Sequence, residues 1–151
     1  DAVEILTAEG AEDVVLEVDG HRPLCLYSFP NYPDGLVRTS IEDFSKFLAA
    51  YLGGGRLGAT RLLKPATVET MLSNQLPLGL YKPGKSQQGL VWHTYTVKDA
   101  GTLWGHSGGD PGVNTLALIA PDRGFAAMVF CNSNTPAILP AMGRLVARAL
   151  A

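Results

Sequence analysis

The sequence is poor in the residues that most often announce chemistry. Two cysteines and three histidines occur in 151 residues, and Cys25, Cys131, His21, His93 and His106 stand too far apart to form a metal-ligand pattern, so no metal or other cofactor is expected. Both thiols lie in apolar settings, LCL and VFC, where cysteine behaves as a small buried hydrophobe, and no disulfide is expected. Charge is sparse too. Twelve basic residues face fourteen acidic ones with no run of one sign, which leaves no electrostatic footprint for nucleic acid or an anionic membrane. No apolar run approaches the ~20 residues that span a bilayer, and the acidic start, DAVEILTAEGAEDV, lacks the core of a secretion signal. No cellular address is written in the chain, and its opening at Asp1 in place of Met reads as a processed or cut portion of a longer polypeptide. What is plentiful is apolar: 46% hydrophobic against 17% charged is the composition of a globule, or of part of one.

Local patterns divide the chain into a loop-and-helix segment over 1–87 and an antiparallel sheet with a closing helix over 88–151, together one incomplete domain. A short strand is expected over 13–18 (DVVLEV), followed by a proline-broken loop ending in YSFPNYPDG. Ser40 can cap a helix with Asp43 three residues on, and Ile41, Phe44, Phe47, Leu48, Tyr51 and Leu52 recur at helical spacing until the glycines at 53–55. Pro65 opens a second helix that should stop near Ser73. After an irregular stretch over 75–87 the period changes to two, predicting strands over 89–97, 102–107, 114–120 and 124–131. The PDRG at 121–124 supplies the most specific turn, since proline presets φ and glycine accepts a left-handed end. Ile138, Met142, Leu145, Val146 and Ala149 form the stripe of a last helix, with Pro140 in its first turn or kinking it. The expected fold class is therefore α+β, an antiparallel meander packed against helices.

Two motif matches fail on context. Gly105, Ser107 and Gly109 satisfy GxSxG, but a nucleophile elbow needs a helix straight after the serine and a histidine later in the chain. Pro111 and Gly112 block the helix, and all three histidines precede Ser107. Adjacent strand residues also point to opposite faces, so His106 cannot act as base for Ser107. The GGGRLG at 53–58 satisfies GxGxxG but follows a helix, whereas a dinucleotide fingerprint follows a strand; it reads as a helix terminator.

Taken in order, RTSIEDFSKFLAAYL, GGGRLG, LLKPATVETML, GLVW, GHSGGDPGV, PDRG, CNSN and a last helix resemble the C-terminal portion of the serine β-lactamase and penicillin-binding-protein-like hydrolases. The branch resembled holds class C β-lactamases, D-aminopeptidases and esterases. The resemblance implies a β-lactamase/transpeptidase-like fold and a cleft strand carrying His106, Ser107 and Gly108 where relatives carry Lys-Thr-Gly or His-Ser/Thr-Gly. It implies that the Gly109 N–H is one oxyanion donor, that His106 joins a proton network or meets a substrate anion, and that Ser107 and Gly108 bind substrate. A strand histidine can equally be structural, and Gly108, Gly109 and Gly112 can be simple turn formers. Asn132 either borders the cleft or only ends a strand. Trp104, two residues before His106 and so on the same face, is the aromatic expected to line a pocket.

The family's Ser-x-x-Lys is missing. None of the seven serines has lysine three residues later, and no Tyr or Ser stands two before an Asn in the matching role. The chain alone is thus expected to be inactive. One reading makes it the oxyanion-side segment of a serine acyl hydrolase acting on a small ester, amide or peptide, completed by an N-terminal half and prone to self-association without it. The other makes it a non-catalytic binding or assembly module on the same scaffold.

Overall fold

The computed structural model describes residues 35, 37–77, 80, 86–133 and 138–150. The strand expected over 13–18, most of the proline-broken loop and Cys25 lie outside the described residues.

Helix α1 spans Ile41–Leu52. Ser40 is extended, and its Oγ accepts the Asp43 N–H at 3.0 Å, which satisfies one of the free donors of the first turn. Gly54 and Gly55 end the helix with φ of 59° and 82°, a left-handed conformation that costs a side-chain-bearing residue far more. The sequence marks this place only as a stop. The chain in fact folds there into a small ribbon, β1 (Arg56–Leu57) against β2 (Thr60–Arg61). Helix α2 runs Pro65–Met71 with proline at its start, as its missing N–H permits.

The main sheet has the order β3-β4-β5-β6, all antiparallel: His93–Val97, Gly101–Asp110, Val113–Ala120 and Phe125–Cys131. Helix α3, Ile138–Leu150, closes the chain with Pro140 in its first turn. The alternation of β5 explains the layering. Leu116, Leu118 and Ala120 pack with Leu103 and with Met142 and Val146 of α3, while Ala117 and Ile119 pack on the other face with Leu48, Tyr51, Val68 and Trp92. A central strand covered by helices on both faces must be apolar at every position, and LALIA is. The result is an α+β fold of helix, sheet and helix layers.

The strand expected over 89–97 starts later than periodicity suggests. Residues 89–92 turn aside: the Gly89 N–H donates to the Trp92 carbonyl at 2.7 Å, and the Leu90 N–H donates to the Met71 carbonyl at the end of α2 at 3.1 Å. Val91 takes a φ of 74° in this bend, uncommon for a β-branched residue. A tertiary bond to α2 thus overrides a run of good strand formers, and β3 begins only at His93.

Candidate active site

That late start leaves half of β4 uncovered by the described residues. Strand β3 pairs with Gly101–Gly105 and no further, His93 standing opposite Gly105. Among the described residues, no strand pairs with His106–Asp110 on that side. On the other side β4 pairs with β5 in unbroken register from Trp104↔Ile119 to Asp110↔Val113.

This register fixes which way each peptide group points. Asp110 and Val113 flank a two-residue turn, Pro111-Gly112, with Gly112 at φ 78°, as the third place of a type II turn requires. The pair that closes such a turn exchanges both hydrogen bonds, and antiparallel pairs then alternate. Gly109/Asn114 and Ser107/Leu116 are therefore the non-bonded pairs, so the N–H and C=O groups of Ser107 and Gly109 face the uncovered edge. Those of Gly108 and His106 face β5. The stretch 106–109 is an extended ledge, and the hairpin after Gly109 removes any nucleophile-elbow geometry.

Side chains alternate across the ledge. His106 and Gly108 are exposed, as is Gly109. Trp104 packs against the cluster beneath α1 and α2. Ser107 lies on the α3 side, where the Tyr95 hydroxyl donates to its Oγ at 2.9 Å. Gly105 makes that reach feasible, because a Cβ there would lie 2.6 Å from the Ala117 carbonyl oxygen and 3.1 Å from the Tyr95 ring, and would strike Leu118 as well. The His93 ring sits 4.6 Å from that of Tyr95 and 5.6 Å from that of His106, at the point where β3 stops. Asn114, buried across from Gly109, donates from its amide to the Ser133 carbonyl at 2.9 Å and ties the ledge hairpin to the chain leaving β6.

The sheet thus brings together His106, Ser107, Gly108 and Gly109, with Trp104 beneath. It does not bring Asn132 to them: that residue is exposed just past the end of β6, two strand spacings, about 10 Å, from β4. Sequence gives His93 and Asn114 no site role and Tyr95 only that of a core or sheet-face aromatic, because their relevance depends on register; the lengths of the two hairpin turns are the usable signal. Among the described residues no three His, Cys, Asp or Glu side chains gather as metal ligands, and no helix is long and apolar enough to cross a membrane. A cavity of 310 Å³ between α1 and α2, lined by Phe47, Tyr51, Leu62 and Met71 among others, is apolar and shares no residue with β4.

Burial, and next the neighbouring His106, hold the His93 imidazole below its usual value of 6.5. A depressed histidine is neutral when folded, so the unfolded chain binds more protons at mildly acidic pH. The stability it lends is complete above pH 6.5 and is lost as the pH falls through the lower folded value. His93→Gln should therefore flatten the acid limb: between pH ~7.5 and pH ~5 the urea midpoint of the parent should fall further than that of the variant. Parallel falls would remove His93 from the pH response.

The family model described as Beta-lactamase matches residues 6–151. The chain belongs to the beta-lactamase family. Among solved structures, a D-stereospecific amidohydrolase from Streptomyces sp. is similar, at 23% identity and a TM-score of 0.47, over 67% of this chain and 28% of its own. The chain thus spans little more than a quarter of that protein's length. No curated protein matches.

Proposed function

We propose that this chain supplies the oxyanion-side strand of a serine acyl hydrolase, with the nucleophilic serine carried on polypeptide outside these 151 residues. The observation that carries the reading is the uncovered edge of β4, with the Gly109 peptide facing out beside an exposed His106. Attack on an acyl carbon places negative charge on its oxygen, and a fixed N–H aimed at that oxygen stabilises the charge without reorganising at the moment of reaction. A substrate lying along the edge would pair with Ser107 and Gly109 as an added strand and would end against His93. The side-chain-free surface at Gly108 and Gly109 lets its backbone approach closely. His106 is the one imidazole of the ledge open to solvent and serves as the proton-network or anion-binding group.

The class C and D-aminopeptidase branch, and the place of the chain as the C-terminal portion of its fold, belong to this proposal too. Val91 and Leu90, exposed by 67% and 46% beside the open edge, support a covering partner there, since apolar surface next to an unpaired strand favours one. Substrate is a small ester, amide or peptide.

Fluorophosphonate labelling of the full-length protein tests the reading. The expected label falls on a serine followed by lysine three residues later, outside residues 1–151, and the 151-residue chain alone takes no label. Labelling of Ser107, or none in the full-length protein, would contradict it, the latter favouring a binding module.

A further inference from the structure

Resting on that reading, we infer that Tyr95 is a positioning residue for substrate selection: its hydroxyl fixes Ser107 so that the Ser107 proton is offered to an acceptor oxygen on the substrate. A phenol is the stronger acid of the two hydroxyls and donates to the serine oxygen, in the sense in which the 2.9 Å contact is made. That bond occupies a lone pair of Oγ and leaves the serine proton free. Among the described residues, no other group hydrogen-bonds the Ser107 hydroxyl. Ser107 is half-buried beside the uncovered edge, so a substrate pairing with that edge is the nearest source of an acceptor.

Three features hold the arrangement. Tyr95 pairs with Leu103, which sets its ring on the Ser107 face. Gly105 lies between them in β4 with no side chain, and any Cβ there would press on the ring at 3.1 Å. His93 packs against the ring, with centroids 4.6 Å apart. A tyrosine packed so tightly and spanning a glycine to reach one serine does more than fill space, which phenylalanine would do equally well. An ionised acceptor gains most from such a donor, because hydrogen bonds to charged groups are the stronger ones.

The test compares nitrophenyl hemisuccinate, whose free carboxylate can take the Ser107 proton, with neutral nitrophenyl butyrate, using the full-length protein. Tyr95→Phe keeps the ring and removes the hydroxyl. It should lower the hemisuccinate-to-butyrate ratio of kcat/KM about five- to tenfold, expressed mainly in the KM for hemisuccinate. Ser107→Ala should lower the ratio by a similar factor, and the double variant no further, since the two hydroxyls act as one unit. An unchanged ratio in Tyr95→Phe, or losses that multiply in the double variant, would overturn the inference while leaving the hydrolase reading intact. Failure of the parent to hydrolyse either ester would overturn both. Should Tyr95→Phe melt well below the parent, Ser107→Ala, which leaves the ring packing in place, decides: an unchanged ratio there would equally refute the role.

Discussion

Replacing Gly109 with proline is expected to cut the acylation rate of the full-length protein by roughly 10²–10³-fold, the usual cost of losing one oxyanion donor, while the fold survives. The two halves of this expectation come from the same register. Gly109 belongs to a non-bonded pair with Asn114, so its N–H takes no part in the ladder to β5, and proline is tolerated where a strand's N–H faces an open edge. The preceding Gly108 is already extended within β4, as a residue before proline prefers. Pre-steady-state burst kinetics with nitrophenyl acetate, alongside a melting curve, measure the two effects separately. Gly108→Pro serves as the contrast, since its N–H faces β5 and its loss should appear as instability. A Gly109→Pro protein that melts like the parent and acylates at the parent rate would remove the peptide from the reaction.

The second large effect is on stability. Ile119 is fully buried near the end of the central strand β5, on the face shared with Leu48, Tyr51 and Trp92. Ile119→Ala deletes apolar contacts that a close-packed interior cannot restore, at a cost of about 2–5 kcal/mol, readable as a lower urea midpoint. The last helix supplies an internal control. Sequence spacing puts Leu145 and Val146 on one stripe, yet Val146 is 1% exposed and Leu145 49%. Val146→Ala should therefore destabilise clearly and Leu145→Ala by much less, although leucine loses the larger side chain. Equal losses would mean that the α3 face is assigned wrongly.

These contrasts mark how far the sequence could be read. The capped first helix, the proline-opened second, the glycine stop, the PDRG turn, the closing helix and the α+β meander followed from short-range rules, because each depends on residues within a few places of one another. The capping of α1 by Ser40 and the opening of α2 by Pro65 are of that kind. The ledge residues His106, Ser107, Gly108 and Gly109 were legible as a motif, but periodicity ended their strand at 107, whereas β4 runs on to Asp110. What periodicity could not reveal was the bend at 89–92, which depends on a bond from Leu90 to Met71 in another element. Among the described residues that bend leaves the edge open, and so decides whether the motif can meet anything. The contacts of His93 and Tyr95 with the ledge were hidden for the same reason, since cross-strand neighbours exist only once register is known. Asn132 shows the converse: a polar residue at a strand end carries a family signal, yet strand order sets it two strands away from β4.

The most direct measurement is a crystal structure of the full-length protein carrying a phosphonyl group on its labelled serine. A phosphonyl oxygen is expected about 2.7–3.1 Å from the Gly109 nitrogen, in line with the open side of β4. An oxygen bound elsewhere, with the edge of residues 106–109 covered by another strand of the protein, would contradict it.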